Sequence, residues 1–419
     1  MACLHFGANS CVEVDFADGV TSGEYGTPRG DPLADPAAAM AAALREPIDY
    51  PVLARSTTPG DHVVLPVDPD IPQTAQIVAA TINALVEAGV DPDGIAILLS
   101  PRDDSTAESD PCRMIAPVLR RRIAVTTHDP TDRRQLAYLA ASEAGEPILV
   151  NRALHEADLV LPLGCLRCDE AAGYFGIHGC VFPTFSDVKT QQRFRCLGSL
   201  NAGGSHKRAL VVEVDYVAWL LGINFTIQLV PAAGDRVLHV LAGQSDSIRQ
   251  RGRQLYREAW ASTASHRAAL VIASIEGGPS QQTWENLGRA VQTAQNLVEE
   301  GGAIAVCCEL SAQPGPAVQR MLAAESCEAA LRHVGQQRPV DALPAAQLVR
   351  ALQRDKVYLL SRLDASLVED LDIVPLADPE ELSRLARRYP SCILLSNAAY
   401  ASVSVAETEA SRESNATAV

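Results

Sequence analysis

The sequence is poor in aromatic residues, 5% of its 419 positions, so its core must be built from Ala, Val, Leu and Ile. Positive charge is also short: 35 Lys and Arg stand against 51 Asp and Glu, a formal net charge of −16. A surface of that sign repels phosphate backbones and anionic headgroups, which argues against nucleic acid and membrane as partners. A small anionic ligand then needs a local positive pocket. The opening residues, "MACLHFGANSCVEVDF", lack the basic start and continuous apolar stretch of a signal peptide. No apolar run reaches membrane-spanning length, and the richest, "ALVVEVDYVAWLLGINF", is interrupted by Glu213 and Asp215. A cytoplasmic location is the expectation. There the 11 cysteines, an odd number, are expected as thiols, metal ligands or reactive groups rather than as a disulfide framework. The sequence carries no internal repeat of fixed period.

What is present is an ordinary globular composition, 47% hydrophobic and 21% charged. The length exceeds what one core usually supports, so two domains are expected, 1–264 and 265–404, with a polar tail at 405–419 too poor in apolar residues to pack. After a turn-rich opening, "AAAMAAALREP" reads as a helix stopped by Pro47. The strand "DHVVLPVD", the helix "TAQIVAATINALVEAG" capped by Gly89, and the strand "GIAILLS" form the succession of a parallel sheet. "RRRIAVTTHDP", "EPILVNR" and "ADLVLPLG" read as further strands, with a helix near "RRQLAYLAASEAG"; "RALVVEVDYVAWLLG", "FTIQLVP" and "RVLHVLAG" read as a run of strands. A second unit begins near 265 with the strand "AALVIASI", the helix "TWENLGRAVQTAQNLVEE" and the strand "GAIAVCCEL", and closes with the strands "KVYLLS" and "SCILLS". The expected fold is α/β: two α/β domains with Rossmann-like parallel sheets and a cleft between them.

Ligands of such sheets sit beyond the carboxyl ends of the strands, which selects "VDPDIP", "SPRDDST", "GCLRCDEAAGYFGIHGC" and "EGGPSQQTW". In the third, Gly173, Tyr174, Gly176 and His178 make a turn suited to hold a ligand against backbone. Cys165, Cys168, His178 and Cys180, spaced C-x2-C-x9-H-x-C, either close a tetrahedral zinc or nickel site or are small apolar core residues beside a turn histidine. Asp103 and Asp104 act as a carboxylate pair, or cap a helix or face solvent. His128 either reaches the cleft or is held as a structural histidine. Gly277 and Gly278 allow close ligand approach ahead of a helix N-terminus. Arg289 on that helix is a carboxylate clamp or a solvated side chain.

In order and spacing, "ALREPIDYPVLARSTTPGDHVVLPVD", "HDP", "GEPILVNRALHEADLVLPLG", "AAGYFG", the proline of "CVFPTF" and "GGPSQQTWENLGRAVQTAQNLVEEGGAI" resemble the nickel-dependent lactate racemase family over nearly the whole chain. The resemblance implies a racemase or epimerase type of isomerase for a 2-hydroxy acid. It also implies a nickel pincer nucleotide, attached through a lysine, that takes hydride from the substrate Cα while histidines handle the hydroxyl proton.

Aligned on the family's pattern, Gly179 stands where the tethering lysine is implied, and the nearest lysine along the chain is Lys189. Asp169 stands at a catalytic histidine, Arg195 at a nickel-coordinating one, and Asp103 or Asp104 at the histidine of the second loop. Asp68 is retained, Ile71 replaces an arginine, Arg289 a lysine and Asn286 a glutamine. Guanidinium is a poor metal ligand, and an aspartate serves as base only with its pKa raised well above ~3.9. Three readings follow. One is a family isomerase with altered or lost chemistry, one a non-catalytic protein binding a small hydroxy acid or related anion, and one a new metal site at the cysteine cluster.

Overall fold

A computed structural model describes residues 2–16, 20–58, 60–101, 110–142, 145–200, 204–322 and 341–406, with 324, 329, 332 and 339. The chain forms two compact units. One comprises residues 30–256 with 333–343, the other 1–29, 257–332 and 344–419.

The first unit is built on a seven-stranded sheet. Its order is Val237–Gln244, Phe225–Pro231, Leu163–Cys165, Val63–Val67, Ile95–Leu99 and Ala124–Thr127, with Leu159–Val160 also pairing Val63–Val67. All pairs are parallel except Phe225–Pro231 with Val237–Gln244. Central strands covered on both faces read as continuous apolar runs, and every residue of "VVLPV" and "FTIQLVP" is buried. The helix Thr74–Glu87 closes as expected, on Gly89 in the left-handed region at φ +96°.

Two segments differ from the reading of the sequence. Residues 208–222 are not a strand but lie mostly in the helix Ser205–Leu220, which buries Leu210, Val214, Val217 and Ala218 at helical spacing. Their β-branched run has strand propensity, but one buried face against a core outweighs a propensity of under ~1 kcal/mol per residue. Conversely, Leu136–Ala141, expected as a helix, is a strand paired antiparallel with Pro147–Asn151.

The second unit carries a six-stranded sheet, ordered Val374–Pro375, Lys356–Leu360, Val298–Cys307, Ala268–Ser274, Ser391–Leu395 and Thr21–Tyr25, all parallel. Its last strand comes from the chain's beginning, so residues 1–29 group with the C-terminal unit and not with 1–264 as expected. A pairing across some 370 residues leaves no local trace in sequence. The antiparallel hairpin Ala2–Phe6 with Ser10–Val14 packs Leu4, Phe6, Val12 and Val14 into the same core as Leu270, Ile272 and Leu382. Val405 ends a strand, Ser402–Val405, paired with Ala261–Ala264. The rest of the expected tail, 407–419, lies outside the described residues.

Candidate functional site

In the first unit, parallel topology brings the ends of three strands to one edge of the sheet. After Val67, Asp68 accepts from the Asp70 backbone N–H at 2.9 Å, and the Asp68 N–H donates to Leu163 O at 2.9 Å. Asp70 in turn accepts from the buried Arg167 at 3.0 Å. Ile71, where the resemblance implies an arginine, is 1% exposed and part of the core. Asp103 and Asp104 lie outside the described residues. After Thr127, His128 is buried with both ring nitrogens in use: Nε2 with Ser186 O at 2.8 Å and Nδ1 with Asn151 Nδ2 at 2.9 Å. Burial pushes its pKa down. His128 is therefore a structural histidine.

The turn after Leu163–Cys165 is anchored from both sides. Phe175 and Phe182 meet Phe194 edge to face, at 5.0 and 5.4 Å between ring centroids, in a cluster with Leu210, Val214 and Val217 of the helix Ser205–Leu220. Each such side chain contributes about 1.5–3 kcal/mol on burial, so the cluster outweighs the ~1–3 kcal/mol cost of one unsatisfied polar atom. Gly173 and Gly176 take φ of +77° and +85°, where a side chain would be strained. Burial raises the Tyr174 phenol well above its ordinary range, keeping it neutral.

His178 sits between these anchors, 5% exposed. Its Nδ1 lies 3.1 Å from Asp215 Oδ1, and Arg249 grips the same carboxylate with two bonds of 2.8 and 2.7 Å. Burial alone would raise the Asp215 pKa, but hydrogen bonds from His178 and Arg249 and the guanidinium charge bring it down to about 2. An ionised Asp215 fixes the ring with Nδ1–H as donor and Nε2 as acceptor. That Nε2 is buried and has no hydrogen-bond partner among the described residues. A buried polar atom left unpaired in this way marks a place where a water, an ion or a ligand group belongs.

The residues do not fit a lysine-tethered nickel group. A Cβ on Gly179 would lie 3.1 Å from Gly176 O and 3.5 Å from Phe175 N, tight against the turn's own backbone. The chain has only three lysines. Lys189 pairs at the surface with Glu146; Lys356 is exposed at the start of its strand. Lys207 is 3% exposed and donates to Asp169 O at 2.7 Å and Ala171 O at 3.0 Å, so it fastens the turn's entry. Burial lowers its pKa. Asp169 faces Arg253 at 3.2 Å, and Arg195 caps the helix Val188–Phe194.

The cysteine cluster is not assembled either. Among the described residues no three His, Cys, Asp or Glu side chains come together to hold a metal ion. Cys165 Sγ donates to Leu166 O, Cys180 Sγ to Ile177 O, and Cys180 packs with Val64, Leu98 and Phe185. Burial raises the Cys168 and Cys180 thiols. The spacing suggested a knuckle, but the chain turns each thiol toward its own packing neighbours, and His178 Nδ1 is taken by Asp215.

In the second unit, the segment after Ala268–Ser274 is a network of amides. Gln282 donates to Ile275 O and Gly277 O at 3.2 and 2.9 Å and accepts from the Glu309 N–H at 2.7 Å. Asn286 donates to Gln281 O and accepts from Arg289 Nη1, both at 2.9 Å. Arg289 is therefore buried against its own helix, not solvated. Tyr400 donates to Gln281 Oε1 at 2.8 Å, while the buried Gln281 Nε2 has no partner among the described residues. Gly277 has φ +103°, and the space beside Gly278 is open.

Sequence reasoning missed Lys207, Asp215 and Arg249. The signal was present in the helical spacing of the buried Lys207, Leu210, Val214 and Val217, which puts Lys207 and Asp215 on the element that packs against the turn.

Comparison with known proteins bears on this geometry. Residues 8–206 match the lactate racemase N-terminal domain. In fold the chain is similar to the lactate racemase apoprotein from Thermoanaerobacterium thermosaccharolyticum, with a TM-score of 0.78 at 16% identity, covering 96% of this chain and 100% of that one. It is also similar to a structural-genomics protein from Thermotoga maritima, with a TM-score of 0.65 at 12% identity, covering 90% and 99%. No curated protein sequence matches it. Residues 8–206 therefore match the lactate racemase N-terminal domain, and the chain as a whole has a fold similar to that of lactate racemase.

Proposed function

We propose that this protein uses the lactate racemase scaffold to bind a small 2-hydroxy acid or a related small carboxylate, with chemistry that does not run through a lysine-tethered nickel pincer nucleotide. The observation that carries this reading is His178: a histidine oriented by Asp215 and Arg249, with an unpartnered acceptor nitrogen, next to the position implied for the missing lysine. An imidazole held this way accepts a hydrogen bond from a ligand hydroxyl and is placed to act on its proton. Racemisation asks for more, because moving the Cα hydrogen as hydride needs an acceptor that carboxylate, imidazole and amine side chains do not provide. The site's own residues therefore support binding and proton exchange, an altered use of an isomerase scaffold.

Three measurements test this reading. Intact mass of the chain co-expressed with the cofactor-making enzymes is expected to equal the sequence mass; a nucleotide adduct on any lysine would overturn the loss of the tether. Thermal shift across small hydroxy acids and their deoxy analogues is expected to raise the melting temperature for a hydroxy acid, since a ligand of the native state stabilises it. No shift with any of them would leave the binding reading without support. His178→Phe is expected to remove the preference for the hydroxy acid while the deoxy acid binds as before.

A further inference from the structure

The N-terminal hairpin sorts its side chains by face. Leu4, Phe6, Val12 and Val14 point into the core, whereas Cys3, His5, Cys11 and Glu13 are exposed. The register sets Cys3 opposite Glu13 and His5 opposite Cys11, so the four occupy neighbouring corners of one solvent-facing patch, two from each strand. Directly opposed Cβ atoms in such a ladder are ~4.5–5.5 Å apart. Cys3 Sγ lies 3.8 Å from His5 Nε2. Neither packing nor strand propensity asks for two thiols and an imidazole on an exposed face. Coordination chemistry does.

We propose that this face binds a soft thiophilic cation, Cu(I), through the thiolates of Cys3 and Cys11 with the imidazole of His5 as third donor. Thiolate and imidazole select soft and borderline ions, and Cu(I) accepts two or three such donors without the closed tetrahedral set that structural zinc requires. Glu13, a hard oxygen donor, is not needed. Cys3 and His5 already meet, but among the described residues no three such side chains are grouped to hold a metal ion, so Cys11 must join them. They are exposed, so rotation about χ1 and χ2 between staggered wells brings them together without moving the core. Binding displaces two protons: one Cu(I) and two thiols give a bis-thiolate complex of charge −1 and two protons in solution, with no change of oxidation state.

The test is an anaerobic titration of the reduced full chain with Cu(I) in competition with a chromophoric Cu(I) chelator. The expected result is a single equivalent withheld from the chelator by the wild-type chain, lost in Cys3→Ser and in Cys11→Ser, weakened in His5→Ala, and kept in Cys196→Ser, which removes a partly exposed thiol elsewhere. Because the changed positions are exposed, circular dichroism is expected to be unaltered in every variant. A wild-type chain that withholds no Cu(I), or a withheld equivalent that survives both Cys3→Ser and Cys11→Ser, overturns the proposal.

Discussion

The two glycine-containing loops that follow a sheet strand are built by different chemistry. The turn at 171–185 is held by charge: Lys207 clamps two carbonyls, and Asp215 is shared by His178 and Arg249. The segment at 276–289 is held by amides: Gln282 and Asn286 bond backbone groups and Arg289 closes the set. Each keeps a buried polar atom unpaired among the described residues, an acceptor on His178 and a donor on Gln281. A charged fastening makes a loop sensitive to protonation, whereas an amide fastening does not. The difference assigns proton handling to the first loop and ligand-neutral support to the second.

The largest effect is expected from Lys207→Met, which keeps the length of the side chain but orphans Asp169 O and Ala171 O. Charge-assisted bonds of this kind imply a loss of about 2–3 kcal/mol in urea unfolding. A stability unchanged from wild type would mean that the turn is not fastened by this amine. Gln282→Leu tests the amide loop and is expected to cost about 1–3 kcal/mol through its three lost backbone bonds. If it cost clearly more than Lys207→Met, charge would not be the stronger fastening.

Asp215→Asn sharpens the contrast by pH. The Asp215 carboxyl ionises more readily in the folded protein than in the unfolded chain. Its contribution is therefore complete above the unfolded pKa of ~3.9 and is lost as pH falls toward about 2. Wild-type stability is expected to drop across that window and the variant's to drop less; parallel profiles would remove Asp215 from the account. Its carboxylate is over a third exposed, so the loss at neutral pH is expected to be modest. The smallest effect belongs to Lys189→Ala at the surface, where no measurable change in melting temperature is expected. A large one would give Lys189 a role its exposed pairing with Glu146 does not suggest.

Much of the site was legible in sequence. Asp68, the turn glycines, His178 and the 277–289 segment all follow strands, as expected. Asp215 and Lys207 were hidden because their segment reads as a strand when scored by β-branched content, and only its packing against Phe175, Phe182 and Phe194 decides for helix. The cysteine spacing misled for a related reason, since spacing along the chain does not fix which way each thiol turns.

The sequence by itself determined the α/β class and the parallel strands, because apolar runs and helical periodicity are local properties. Tertiary structure alone decided that residues 21–25 complete the C-terminal sheet, that Asp215 orients His178, and that Lys207 is occupied by backbone carbonyls. Each of these joins groups far apart in the chain. Their partnership is set by which faces bury together, a free energy that no single stretch of sequence contains.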